Sequence, residues 1–377
     1  MSPASGFRRR FTALLRKEVR QMLRDRSNLA VGLLLPVLLI LLFGYGLSLD
    51  VQNAPVAVAL EDSSPSAREV ASGLQGSHYL APVWVNNMAE AQALMRAGKV
   101  DGIVRIPMDF SRQLAAGEAR VQLLLNGADS TTATAVEGYV GGALGTWAQH
   151  QADRAGGKPA ALGSVLVVQR MWFNEAGNST WYLVPGLLVL VLTLIGAFLT
   201  SLLIAREWER GTLESLFVTP VRPLELVLAK VAPYLVVGAI NIVSCLLAAR
   251  LLFAVPIRGS LWIILLASLL YLLVSLLLGL FISGLTRSQF KASQMALLLS
   301  FLPAMMLSGF VFDLRNVPVV IQLVSKILPA THFMSLIKTL FLAGDNWPQI
   351  LSNCGVLLLY AVVLTFATRR TLRKTLD

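Results

Sequence analysis

The chain has 377 residues, 55% of them hydrophobic and only 14% charged, with a formal net charge of +11 at pH 7. So large an apolar share excludes an ordinary soluble globular protein and points to an integral membrane protein. The positive excess sits in short segments beside apolar runs, as the positive-inside rule requires, which argues against nucleic-acid binding.

In chain order, residues 1–28 read as an interfacial helix. Phe7, Phe11, Leu14, Leu15, Val19, Met22 and Leu23 recur at three- and four-residue steps, with Arg8, Arg9, Arg16, Lys17, Arg20 and Arg24 between them. Such a helix lies among lipid headgroups on the anionic cytoplasmic leaflet. Ser27-Asn28 marks a turn into a first transmembrane helix, 29–49, kinked at Pro36. No small-residue cleavage site closes that run, so it reads as a retained anchor.

Residues 50–180 differ in kind. Short β-runs at Val56–Leu60, Val83–Val85, Gly102–Ile106 and Val121–Leu125 alternate with helices at Ala67–Leu74, Ala89–Ala97 and Phe110–Ala115. A long helix from Thr131 to Ala152 carries Gly138, Gly141, Gly142 and Gly145, which would admit a close neighbour. Gly156-Gly157-Lys158-Pro159 reads as a linker and Val165–Phe173 as a returning strand. The stretch is expected to form an α/β domain inserted between spans 1 and 2.

Residues 181–377 return to the membrane. Spans are expected at 181–205, 231–253, 261–285, 292–312 and 350–368. Residues 317–343 are apolar but broken by Lys326, Pro329, His332 and Lys338, so a re-entrant hairpin is expected there. The overall expectation is a membrane all-α fold of six transmembrane helices. Lys and Arg number eight before span 1, four in 206–230, two in 286–291 and four in the tail. The opposing short loops hold one and three. Both termini are therefore expected in the cytoplasm, with the α/β domain outside.

The most informative stretch is 206–222. Four charges, Arg206, Glu207, Glu209 and Arg210, arrive within five positions after a charge-free run, so the helix must leave the hydrocarbon. Gly211 suits a helix end, Thr212 can cap a short second helix through 218, and Thr219-Pro220 stops it. The result is a lever at the membrane surface on which a soluble partner can push.

Catalytic chemistry is not written elsewhere. There is no GxxxxGK[ST] loop; His78, His150 and His332 are isolated; Cys245 and Cys354 sit singly in apolar runs. The spans hold no Asp or Glu, which disfavours an ion-coupled antiporter. A membrane-anchored ligand-binding or signalling protein is the other competing reading.

The lever, with Glu207, Glu209, Arg210, Gly211-Thr212, Glu214 and Thr219-Pro220, resembles the coupling segment of ABC-2-type transporter permeases (type V ABC exporters). Leu302-Pro303, Leu307-Ser308-Gly309-Phe310 and Leu328-Pro329-Ala330-Thr331-His332-Phe333 are similar too. The resemblance spans essentially the whole chain and is closest to permeases with a large periplasmic domain. It implies a non-catalytic inner-membrane subunit exporting drugs or lipid-like amphiphiles. It implies a second permease chain, identical or paralogous, and separate ATPase subunits that carry the ATP and Mg, with no cofactor on this chain. It also implies a periplasmic membrane-fusion adaptor, and carboxylates Glu207, Glu209 and Glu214 meeting a basic groove on the ATPase.

Overall fold

The computed structural model describes residues 3–46, 53–77, 79–126, 130–154, 179–213, 219–311, 314 and 317–372. Two compact units result, one of residues 1–47 and 172–377 and the other of residues 48–171. The expected strand 165–173, the linker 156–159, His78, Glu214 and the coupling helix beyond Leu213 lie outside the described residues.

The smaller unit is a four-stranded sheet in the order β2-β1-β3-β4. Its strands are β1 (Ala54–Leu60), β2 (Leu80–Val85), β3 (Gly102–Ile106) and β4 (Gln122–Leu125). The first three run parallel and β4 runs antiparallel to β3. Parallel pairing needs crossovers, supplied by α2 (Pro65–Gln75) and α3 (Met88–Arg96). Ser64 Oγ caps α2 by accepting from Ala67 N, and Asn87 Oδ1 caps α3 by accepting from Glu90 N.

Strand alternation splits β1 between two cores. Val56 and Val58 meet Val70 and Leu74 of α2 and Val136 and Val140 of α5 (Ser130–Arg154). Ala57 and Ala59 face Ala91 of α3 and Ile103. Helix α4 (Phe110–Ala115) joins β3 to β4. The four glycines of α5 do not make the close approach expected of them, since a Cβ on any would meet nothing within 4 Å. The helix packs through Val136 and Val140 instead.

In the larger unit, α1 (Pro3–Arg24) leads directly into span 1 (Arg26–Gly46). The break falls at Asp25, not at Ser27-Asn28, because the Asp25 side chain accepts from Asn28 N and caps the new helix. The other spans are Thr180–Glu209, Pro223–Leu251, Leu261–Thr286, Gln289–Leu307 and Trp347–Thr371, six in all among the described residues. Before the last, α6 (Val319–Ile327) and α7 (Pro329–Leu342) meet at a bend of 86°.

Span 2 is the most enclosed, and its partners are chosen by small and hydroxylated residues. Residues Leu194–Leu199 adopt a π-helical turn. Thr200 Oγ1 lies 2.6 Å from Gly196 O and 2.8 Å from Leu276 O of span 4, satisfying carbonyls there. Span 5 has its own π turn at Leu297–Phe301. Pro303 explains it, since it lacks the N–H that residue 299's carbonyl would take. The two π turns pack against each other.

A Cβ on Gly279 of span 4 would lie 2.2 Å from Ala197 O. Gly279→Ala is therefore expected to lower the melting temperature of the solubilised protein, by overpacking that costs about 1–3 kcal/mol. Gly138→Ala, in open space on α5, should leave it unchanged or higher.

Candidate coupling site

Span 2 stays helical for one turn after its charges begin, through Glu209. Successive α-helical residues differ by about 100°, so Arg206, Glu207, Trp208 and Glu209 point in four directions. A partner meets each of them. Arg206 Nη1 donates to Asp25 Oδ2, before span 1, at 2.6 Å. Glu207 meets Lys17 of α1 and Lys230 of span 3. The Arg287 guanidinium, between spans 4 and 5, lies 4.6 Å over the Trp208 ring. Glu209 accepts from the backbone N of Gln289, at the start of span 5, at 2.8 Å and also from its side-chain amide.

Around Glu207 the charges close into a ring. Lys17 Nζ lies 2.5 Å from Glu207 Oε1 and 3.3 Å from Glu18 Oε1. Lys230 Nζ lies 3.0 Å from Glu207 Oε2 and 3.2 Å from Glu18 Oε1. Two cations and two anions cancel, which is what makes their burial tolerable. Lys230, Glu18 and Glu207 are 1%, 2% and 3% exposed as residues. The Lys230–Glu207 contact is an ion pair off hydrogen-bonding geometry, since Oε2 has no hydrogen-bond partner. Two turns earlier on α1, Arg10 grips Glu225 through Nε at 3.1 Å and Nη2 at 2.7 Å. Glu225 also accepts from Arg222 N and so caps span 3.

The face of α1 toward the spans thus carries Arg10, Leu14, Lys17 and Glu18 at helical spacing. Burial opposes the Lys17 charge, yet Glu207 and Glu18 more than offset it and raise its pKa. Burial likewise opposes the Asp25 carboxylate, but Arg206 and the Asn28 N–H hold its pKa below the ordinary value.

The helix then ends as the residues dictate. Arg210 N and Gly211 N bond back to Arg206 O and Trp208 O, and Gly211 takes a left-handed φ of +67°. Thr212 and Leu213 restart a helix; Leu213 is buried and Thr212 exposed. Arg210 and Pro220 are exposed and Thr219 half-buried.

Measured against the sequence reading, two of the three carboxylates expected to meet an ATPase are engaged inside the chain. Glu207 is buried in the ring, and Glu209 is bound to Gln289, although its residue remains exposed. On α1 the apolar residues divide: Leu14 is buried, Phe11, Leu15 and Val19 are half-buried, and Phe7 and Leu23 are exposed. Sequence reasoning missed Glu18, Lys230, Glu225, Asp25, Arg287 and Gln289. A signal existed for two of them. Glu18 is the one acid in α1, and Lys230 is a single charge between Ala229 and Val231 in an apolar run.

In the smaller unit a groove of about 600 Å³ runs between α2 and α5, with Glu69, Tyr79, Tyr139 and Trp147 in its walls. Tyr79 and Tyr139 stack at 4.7 Å.

Comparison with known proteins places this geometry. Residues 26–369 match the model of the ABC-2 family transporter protein. The chain is 40% identical over 371 residues to the probable multidrug ABC transporter permease YbhS of Escherichia coli (strain K12), covering 98% of each. It is 32% identical over 336 residues to the probable multidrug ABC transporter permease YbhR of the same organism, covering 88% of this chain and 90% of that one. The inner membrane transport permease YhhJ is 26% identical over 361 residues, covering 90% and 91%. The chain therefore belongs to the ABC-2 transporter family, as a multi-pass, non-catalytic permease subunit served by a separate ATPase.

Proposed function

We propose that the chain exports amphiphilic compounds, drugs or lipid-like molecules, across a bacterial inner membrane, and that ATPase subunits drive it through residues 206–222. The observation that carries this reading is the end of span 2, where four consecutive side chains join it to Asp25 before span 1, to α1 and span 3, to the turn after span 4 and to span 5. A push on the exposed residues beyond Glu209 is delivered to all of them at once. The ATPase then meets Arg210, Gly211, Thr212, Glu214, Thr219 and Pro220, while Glu207 and Glu209 tie the lever to the rest of the subunit.

In this reading both termini lie in the cytoplasm and the unit of residues 48–171 lies in the periplasm. The basic face of α1 rests on lipid headgroups. Helices α6 and α7 form a re-entrant hairpin, because neither alone spans a bilayer. A second permease chain completes the path, and a membrane-fusion adaptor takes the cargo outside. The apolar spans suit an amphiphile better than an ion. The names of the relatives, two multidrug permeases and an inner-membrane transport permease, support both cargo class and location.

Inside-out vesicles holding the permease and its cognate ATPase are expected to accumulate amphiphilic cargo only with ATP. Equal uptake without the ATPase, or none across a broad amphiphile panel, would refute the proposal.

A further inference from the structure

We propose that Gln289 is a positioning residue that carries the stroke of the coupling segment from span 2 into span 5. The inference rests on the coupling role proposed above for residues 206–222 and assigns a route to it. Gln289 is the first helical residue of span 5, after Ser288 in extended backbone. Its backbone N–H and side-chain amide both donate to the Glu209 carboxylate, one to each oxygen. Its own carbonyl oxygen accepts from Arg206 Nε at 3.3 Å. One side chain therefore holds both ends of the last helical turn of span 2.

The link is favoured beyond its hydrogen bonds, because a carboxylate at a helix N-terminus meets the positive end of the helix dipole. It is also seconded by Arg287, two residues earlier, whose guanidinium covers Trp208. Arg287 holds a left-handed φ of +54° without being glycine. Such a conformation persists only where the surroundings enforce it. Halfway along, the same two spans meet again through their π turns, Leu194–Leu199 and Leu297–Phe301. A displacement of Glu209 pulls span 5 by its first residue, with the π–π contact as the pivot.

Proline at position 289 tests this narrowly. It removes the backbone donor and the side-chain amide together, is well accepted at a first helical position, and finds Ser288 already extended (φ −136°, ψ 129°). Glu209, Arg206 and the exposed coupling residues stay in place. Permease, partner permease and ATPase are reconstituted in vesicles.

With Gln289→Pro the ATPase should co-purify as in wild type. The maximal transport rate should fall about tenfold, the half-saturating cargo concentration staying unchanged. Nitroxides on Lys291→Cys and Leu224→Cys, in a Cys245→Ala/Cys354→Ala background, should lose their ATP-driven distance change. Gln289→Ala, which keeps the backbone bond, should fall about threefold.

Wild-type rate and wild-type distance change in Gln289→Pro, or in Gln289→Ala should the proline variant fail to assemble, overturn the Gln289 route alone. A wild-type pair with no ATP-driven change while transport persists also overturns the Gln289 route, whereas vesicles whose ATPase drives no transport overturn the coupling role of residues 206–222 itself.

Discussion

Lys230→Met is expected to destabilise the membrane unit by about 3–5 kcal/mol, the cost of removing one member of a buried ion cluster. Methionine has nearly the shape of the lysine stem, so packing is retained and the loss is electrostatic. Glu18 and Glu207, 2% and 3% exposed, would then share only Lys17, which is 41% exposed and a weaker counter-charge. Either α1 leaves its seat or the carboxylates take up protons, and both routes cost stability. The melting temperature of the solubilised protein should drop by roughly 10 °C, and protease should reach α1.

Lys230→Arg, which keeps the charge, should recover most of the loss. Adding Glu207→Gln to Lys230→Met should recover part of it, because one uncompensated anion disappears. A Lys230→Met protein within about 0.5 kcal/mol of wild type, the range of ordinary surface changes, would show that the ring carries no weight.

That ring marks where the sequence could be read and where it could not. Elements defined by local periodicity were legible. Strand Gly102–Ile106 and helix Phe110–Ala115 lie where alternation and turn residues put them. The left-handed turn at Gly211 follows from its place after the last polar helical residue.

Pairings across the chain were not legible, since Lys17 and Glu207 are 190 residues apart and Lys230 and Glu18 are 212 apart. Periodicity put Lys17 on the basic face of a helix lying among lipid headgroups, and charge counting put Lys230 in a loop. Only the packing of α1 against span 3 shows that they answer each other. The glycines of α5 failed for a related reason. Small residues permit a close neighbour but do not supply one, whereas Gly279 has Ala197 and Thr200 against it.

The π turns were invisible for a subtler reason. Pro303 predicts a disturbed helix, but whether it kinks or widens depends on what packs beside it. Here span 5 meets the π turn of span 2. That turn has no proline, only Gly196 held against Ser275 and a Thr200 hydroxyl that takes up the Gly196 carbonyl.

Gly211→Val is expected to cut ATP-driven transport at least tenfold while leaving insertion and the ion ring intact. Position 211 has φ +67°, and a Cβ built there meets nothing within 4 Å. Crowding is therefore not the issue, and the penalty is purely one of backbone conformation. An L-residue in left-handed backbone costs about 1–2 kcal/mol, more when β-branched. The chain relieves that strain by turning Thr212 and Leu213 away from their direction in the wild type.

Because Leu213 is 1% exposed, the redirected segment also loses its hydrophobic foothold. A shift of about 1.4 kcal/mol in the productive arrangement is a tenfold change in its population. Gly211→Asn provides the control, since asparagine enters left-handed backbone far more readily than valine, and it should keep most of the activity. Transport per ATP hydrolysed, measured beside the melting temperature, separates the outcomes. Valine at wild-type efficiency would mean that the direction of the segment after Glu209 does not matter. Loss of efficiency together with a large fall in melting temperature would place the defect in folding. Lost efficiency at an unchanged melting temperature, restored by asparagine, is the result expected of a lever whose angle is set at Gly211.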